Sequence, residues 1–386
     1  MILGGGFGGL AAATELARQA AGEHRITLVD RKDWFQMGLA KLWTLVGSRR
    51  PEDGRGDLSR LAARGIRFIR GDARALVPAD REVRVVTDPN GPVEERLPYD
   101  ALLVALGAET DAAAVPGLPA GDNLYDAAAI PGLRDRLKAM TRGRIAIVIV
   151  KPPYKCPPAP YEAALLVDQA LTDRNIRAAF AVAVYLPEKL PMTVAGPAVG
   201  AQVKAFVEGR NIRVDTERVL ERVEPGLAGA GRLHFVGGAS APYDLLLAVP
   251  AHRPPTAVAA LTGPSGWIEV DATTLATAHP GIWAVGDVTA VKLPGGGFLP
   301  KAGVFAEAEG RVVAEQILAR LEGRPANTIF DGIGHCWFEV GGGKAMAVRG
   351  TFFGDPAGRV ALTEPTEAAF RDKQGFERDR LAAWLA

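Results

Sequence analysis

The chain holds two cysteines, Cys156 and Cys336, about 180 residues apart. Cys156 lies in Lys151-Pro-Pro-Tyr-Lys-Cys-Pro-Pro-Ala-Pro-Tyr-Glu162, a polar stretch stiffened by prolines. Restricting the backbone in the unfolded chain lowers the entropic cost of holding a thiol in fixed geometry. Cys336 stands between His335 and Trp337. The bland reading is two unrelated buried thiols, the usual fate of unpaired cysteine. The placement favours a redox-active pair. Glu162, six residues after Cys156, is a candidate general acid or base, since an apolar pocket would raise its pKa toward a useful range. Its alternative role is an acid that complements a helix N-terminus.

The elements that must position these groups can be read from periodicity. Arg144-Ile-Ala-Ile-Val-Ile-Val150 is an apolar run with the character of a buried parallel strand, and Ala163–Val167 continues as a helix toward the strand Phe180–Leu186. Strand, turn and helix form the unit that receives a dinucleotide, and its turn needs glycines so that backbone N–H groups can approach the pyrophosphate. Here Pro152, Pro153, Pro157 and Pro158 remove donors instead. The scaffold of a nicotinamide site is present without its chemistry.

The N-terminus supplies the contrast. Gly4, Gly6 and Gly9 complete a G-x-G-x-x-G around Phe7, followed by a helix with Leu10, Ala13, Leu16 and Ala17 on one face and a strand, Ile26–Val29, ending at Asp30. That acid stands where it can accept hydrogen bonds from ribose hydroxyls. A second signature, Gly281-Ile-Trp-Ala-Val-Gly286-Asp287, precedes Pro300-Lys301-Ala-Gly303 and a long helix, and Tyr99–Gly107 supplies a third strand. Together these resemble the two-dinucleotide flavoproteins. The resemblance implies that Gly286-Asp287 reaches the ribityl chain and pyrophosphate of FAD and that the helix after Lys301 faces the flavin ring. Arg31, Ala73 and Gly107 complete the candidate cofactor-binding set.

A length of 386 residues calls for two or three domains. The reading is an α/β fold of two Rossmann-like three-layer domains plus a small C-terminal α+β region. The FAD domain takes residues 1–110 and 245–325, with Asp244–Pro250 as the strand that returns to it. The second, degenerate nucleotide-binding domain is inserted at 111–244, and 326–386 form the C-terminal region with a glycine turn at 341–343. Pro116–Pro119 and Arg253-Pro-Pro are the expected hinges. A net charge of +1, with no Lys/Arg tract interleaved with aromatics, gives no case for nucleic acid. No apolar run is long enough to span a membrane. The tail residues Leu381, Trp384 and Leu385 are more readily packed against the protein or a second subunit than laid on a membrane surface. Only Met1-Ile-Leu precede Gly4. The expected location is therefore cytoplasmic or peripheral on the cytoplasmic membrane, and periplasmic if a leader is missing.

On Gly4–Gly9, Lys155-Cys156-Pro-Pro-Ala-Pro-Tyr-Glu162, Pro250-Ala-His252, Gly286-Asp287, Pro300–Gly303 and Cys336, the chain resembles the sulfide:quinone oxidoreductases and the flavoprotein subunit of flavocytochrome c sulfide dehydrogenase. The resemblance implies a disulfide or polysulfide bridge between Cys156 and Cys336 on one face of FAD. Sulfide would be oxidised to sulfur or polysulfide, and electrons would pass through FAD to a quinone or a cytochrome c. It also implies that Lys301 stabilises charge on the reduced flavin; His252 and His335 read as structural rather than catalytic. Quinone-reducing members carry a third essential cysteine, which this chain lacks. Flavocytochrome members attach FAD through a cysteine where this chain has Met37 in Trp34-Phe-Gln-Met-Gly, so FAD is expected to be held non-covalently. Two alternatives stay open: a type II NADH dehydrogenase-like flavoprotein, and a non-catalytic FAD-binding protein without a working cysteine pair.

Overall fold

The apolar runs become the centres of two parallel sheets in the computed structural model, which describes residues 1–20, 22–87, 94–353 and 359–386. The first sheet runs Ile282–Ala284, Leu102–Val104, Ile2–Leu3, Ile26–Asp30, Ile66–Arg70, every neighbouring pair parallel. Leu3, Leu28, Leu103 and Val104 have no exposed surface, as strands covered on both faces require. The helices Phe7–Ala20 and Gly303–Leu321 pack together against this sheet. Glycine sets how closely they approach. A Cβ at Gly310 would lie 2.3 Å from the Gly8 carbonyl oxygen, and one at Gly9 would lie 1.8 Å from that of Gly4.

The second sheet has the order Ile212–Asp215, Phe180–Tyr185, Gly143–Ile149, Leu245–Val249, again all parallel. Helix Ala159–Asp173 makes the crossover between Gly143–Ile149 and Phe180–Tyr185. One assignment from the sequence is corrected here. Leu245–Val249 does not return to the first sheet; it pairs with Gly143–Ile149 at the edge of the second. All five of its residues are buried, and a uniformly apolar strand carries no mark of which parallel sheet it joins. The return is made just beyond, by Ala251–Arg253, which lies antiparallel to the outgoing Glu109–Asp111. This short ladder, which includes Arg253 of the Arg253-Pro-Pro segment, carries both crossings.

The C-terminal region is an antiparallel sheet of Ile333–Gly341, Lys344–Thr351 and Arg359–Leu362, followed by helix Glu367–Leu385. Its tight turn is taken by Gly341, Gly342 and Gly343 with φ of 81°, 60° and 68°, left-handed values that glycine adopts without a Cβ penalty. Thr366 caps the helix by accepting the Ala369 N–H at 3.1 Å. The helix then lays Phe376 and Trp384 against Phe7, with ring centroids 6.2 and 5.9 Å away. Trp384 and Leu385 are buried on their own chain and are not offered to a membrane surface. Among the described residues no helix is long and apolar enough to cross a membrane.

The glycine contacts give a paired test. Gly310→Ala should cost about 1–3 kcal/mol through overpacking of the helix crossing. Gly132→Ala, where a Cβ meets nothing within 4 Å in helix Ile130–Ala139, should be neutral or stabilising by up to about 1 kcal/mol. Chemical denaturation of the two variants checks both signs.

Candidate active site

The first sheet's strand ends, the Cys156 loop and the C-terminal sheet converge on one cavity of about 240 Å³. Gly6, Phe7, Gly107, Cys156, Glu162, Gly286, Asp287, Lys301 and Cys336 all line it. A Cβ at Gly6 or Gly107 would meet nothing within 4 Å, so bare backbone borders open space there. Helix Gly303–Leu321 begins at this wall without a side-chain cap. Its first N–H groups and its dipole therefore face the cavity. Backbone donors along a glycine wall and an uncapped helix end fit a dinucleotide cofactor.

The other candidate cofactor residues lie outside the lining. Gly4 takes φ 103° where a Cβ would stand 2.3 Å from the Ala105 carbonyl oxygen, which keeps the first turn tight against its neighbouring strand. Asp30 accepts the Gly5 N–H at 2.6 Å and the Lys32 N–H at 2.8 Å, so its carboxylate braces the glycine turn from behind. Arg31 is exposed and 3.5 Å from Glu109. Ala73 sits in the antiparallel strand Asp72–Val77.

Cys156 has φ 51°. Its N–H donates to the Lys301 carbonyl at 2.7 Å and its carbonyl accepts the Ala159 N–H at 2.9 Å. The loop is thus pinned to the segment before helix Gly303–Leu321 at one end and starts its own helix at the other. Cys336 lies on strand Ile333–Gly341. Both cysteines are half-buried free thiols; the bridge expected between them is not formed in this structure. Burial pushes the Cys156 thiol well above its ordinary range, with Cys336 and Glu162 adding to the effect, while Lys373 and Lys41 oppose it. Burial likewise pushes Cys336 up to about 11.

Glu162 is buried. Its Oε1 accepts the Lys373 Nζ at 2.7 Å and the Glu339 N–H at 2.7 Å. Lys373 also donates to Glu339 Oε2 at 2.8 Å, and Trp43 Nε1 donates to the same oxygen at 2.9 Å. Burial raises the Glu162 carboxyl, and Lys373 pulls the other way. For Lys373, burial opposes the charge but the two carboxylates outweigh it and hold the ammonium protonated. Lys301 is buried rather than on the surface. Its Nζ donates to the carbonyls of Asp287 and Thr289 at 2.7 and 2.9 Å and stands 3.5 Å over the Trp267 ring. It closes the Gly286-Asp287 turn, with burial lowering its pKa to about 8. His252 bonds its Nδ1 to the Pro250 carbonyl at 2.9 Å, and burial lowers it to about 3. It is a neutral structural ring. His335 lies tilted at 54° against Trp337, with ring centroids 4.7 Å apart.

A family model described as "Pyridine nucleotide-disulphide oxidoreductase" matches residues 1–148. One described as "Sulfide dehydrogenase [flavocytochrome c] flavoprotein chain, central" matches residues 131–186, the segment that carries Cys156 and Glu162. The mitochondrial sulfide:quinone oxidoreductase of Mus musculus is 23% identical over 316 residues, 75% of this chain and 65% of that protein. The chain is thus similar to the sulfide:quinone oxidoreductases and to the flavocytochrome c sulfide dehydrogenase flavoprotein chain. It spans about two thirds of the mouse relative's length. The structure of the sulfide:quinone oxidoreductase from Aquifex aeolicus superimposes with a TM-score of 0.84 at 21% identity, covering 100% of this chain and 92% of that one. A NAD-dependent persulfide reductase from A. fulgidus aligns with a TM-score of 0.69 at 21% identity, over 91% of this chain and 63% of that one. At these identities the superpositions speak for the α/β fold. The pyridine nucleotide-disulphide oxidoreductase match implies a flavin cofactor, FAD.

Sequence reasoning passed over Lys41, Lys373, Glu309 and Glu339. Lys373 sits in Phe370-Arg-Asp-Lys-Gln-Gly-Phe376, where nothing separates a buried lysine from its solvated neighbours. Glu309 is buried on helix Gly303–Leu321, accepts the Gly286 N–H at 2.6 Å, and is raised by burial to about 7. The apolar spacing of that helix could have flagged it, since an acid stands on the inward face.

Two expectations follow. Lys373→Met should cost roughly 3–5 kcal/mol, because it leaves Glu162 and Glu339 buried without their cation. The triple variant with Glu162→Gln and Glu339→Gln should recover much of that loss in denaturant melts. Glu309 has a folded pKa above its unfolded 4.5, so its contribution is whole below that pH and is lost as pH rises through about 7. Relative to Glu309→Gln, the wild type should lose stability across this window; parallel pH profiles would refute the assignment.

Proposed function

We propose that this protein is an FAD-dependent sulfide dehydrogenase, which oxidises sulfide to sulfur or polysulfide through Cys156 and Cys336 and delivers electrons to a quinone or a cytochrome c. The observation that carries the reading is that both cysteines, from segments about 180 residues apart, line the same cavity as the glycine wall and the uncapped helix end. The printed names of the relatives, sulfide:quinone oxidoreductases from mouse and Aquifex aeolicus, support sulfide as the substrate and a quinone as an acceptor.

Bound FAD supplies a two-electron acceptor. Joining the two thiols removes two electrons and two protons and forms a disulfide. Hydrosulfide then attacks one sulfur of that bridge, forming a new S–S bond and breaking the old one, which leaves a persulfide on one cysteine and a thiolate on the other; joining these two releases two electrons, which bound FAD would accept, and one proton, and leaves the bridge one sulfur longer. The chain's own residues set the proton balance. The half-buried thiols rest protonated, and the start of helix Ala159–Asp173 beside Cys156 favours its thiolate when one forms. Glu162, held by Lys373, lines the cavity between solvent-poor walls and is the group placed to take or return a proton there. The four prolines of the Lys151–Pro158 turn leave the second unit without donors for a pyrophosphate, which argues against NADH as the reductant.

Anaerobic titration of the purified holoenzyme tests this. Sulfide should bleach the flavin, and NADH should do so slowly or not at all. Cys156→Ser and Cys336→Ser should each keep FAD bound and lose bleaching by sulfide. Wild-type rates in both serine variants would overturn the mechanism; fast saturable reduction by NADH would overturn the function. Acid should release the FAD, since Met37 occupies the anchoring position and is fully buried; flavin that stays with the denatured polypeptide would contradict non-covalent binding.

A further inference from the structure

We propose that Glu339 and Lys373 are positioning residues that act through Glu162, setting when its carboxylate can take the proton released as the cysteine bridge re-forms. The source of that proton rests on the function proposed above; the control of Glu162 does not.

Glu162, Lys373 and Glu339 are all buried, and they come from helix Ala159–Asp173, helix Glu367–Leu385 and strand Ile333–Gly341. Lys373 Nζ stands 2.7 Å from Glu162 Oε1 and 2.8 Å from Glu339 Oε2. Two carboxylates therefore share one ammonium, which leaves one buried negative charge in excess. The three groups are partners of one another, so their arrangement does not depend on what fills the rest of the cavity. A surplus buried charge is costly, and uptake of one proton by the carboxylate pair relieves it. The two carboxylates are not equivalent. Glu339 Oε2 is also held by Trp43 Nε1 at 2.9 Å. Glu162 instead lines the cavity with both thiols and acts on each of them. It is the member placed to exchange a proton with sulfur.

The two positioning residues pull Glu162 in opposite directions. Burial raises its carboxyl, the Lys373 ammonium and the Glu339 N–H lower it, and the Glu339 charge raises it again. Lys373 thus keeps Glu162 ready as a base, while Glu339 draws on the same ammonium and weakens that hold. Other charges nearby are already paired. Asp168, on the same helix, is bound to Arg177 and Arg210, and Arg49, stacked on Trp43, is bound to Glu377. Tyr125 and the two thiols feel Glu162 in turn, and Lys41 acts on Cys156. When the persulfide and the thiolate join, the persulfide S–H bond breaks and an S–S bond forms. Two electrons leave for the bound flavin as above, and the proton passes to the Glu162 carboxylate.

Infrared titration of the oxidised holoenzyme reads this control directly. The C=O band of the protonated Glu162 carboxyl is assigned by its absence in Glu162→Gln. In Glu339→Gln its midpoint should fall by about one pH unit or more; in the double variant of Lys373→Met with Glu339→Gln it should rise by about as much. The acidic limb of the rate at which sulfide bleaches the flavin should move in the same two directions. FAD content and a melting profile identify a variant that does not fold, and Glu339→Gln against wild type decides alone if the double variant is lost. A wild type without a titrating band, or a Glu339→Gln midpoint that stays or rises, would overturn the control. Band shifts that leave the acidic limb in place would overturn Glu162 as the proton acceptor. Opposite band shifts with a flavin that sulfide cannot reduce would sustain the control of Glu162 and defeat the proposed function.

Discussion

A single ammonium ties the site together. Lys373 is buried between Glu162, on the helix that starts three residues after Cys156, and Glu339, three residues beyond Cys336 on its strand. Each carboxylate belongs to a segment that carries one of the cysteines, and the lysine belongs to a third, the C-terminal helix. Burying three ionisable groups is costly in desolvation, and the attraction between them offsets that only when the geometry is right. Such a cluster adds little net stability, but it strongly disfavours any packing that leaves one member unpaired. It therefore acts on register: if the C-terminal sheet shifts, Glu339 leaves its cation and Cys336 leaves the cavity with it.

The cavity that results contains two opposed influences on its thiols. Burial and the neighbouring carboxyl keep them protonated, which protects them from adventitious oxidation. The charges of Lys373 and Lys41, and the helix that begins beside Cys156, act the other way when a thiolate must appear. Lys301 and Glu309 are committed to the Gly286-Asp287 turn.

Much of this was legible in the sequence because it rests on local rules. Gly4, Gly6 and Gly9 announce a close turn, the apolar run before Lys151 announces a buried strand, and a cysteine in a proline-rich loop announces a fixed thiol. What escaped depends on partners remote in the chain. Leu245–Val249 is equally apolar in either sheet, and only its pairing with Gly143–Ile149 decides where it belongs. Lys373 went unremarked because charge patterning says nothing of burial when the neutralising carboxylate of Glu162 is 211 residues away. Asp30 was read as a ribose ligand from its place after the second strand; the structure shows the same carboxylate bracing the Gly5 N–H, a task invisible from spacing alone. The apolar tail was correctly weighed toward packing, since Trp384 finds Phe7 and Phe35.

The central claim is that sulfur from sulfide becomes covalently attached to one of these two cysteines as the flavin is reduced. Peptide mass analysis of the holoenzyme, mixed anaerobically with one equivalent of sulfide and then alkylated, tests it most directly. The account predicts one added sulfur on the peptide carrying Cys156 or Cys336, in proportion to the flavin bleached. Bleaching without added sulfur on either peptide would contradict it.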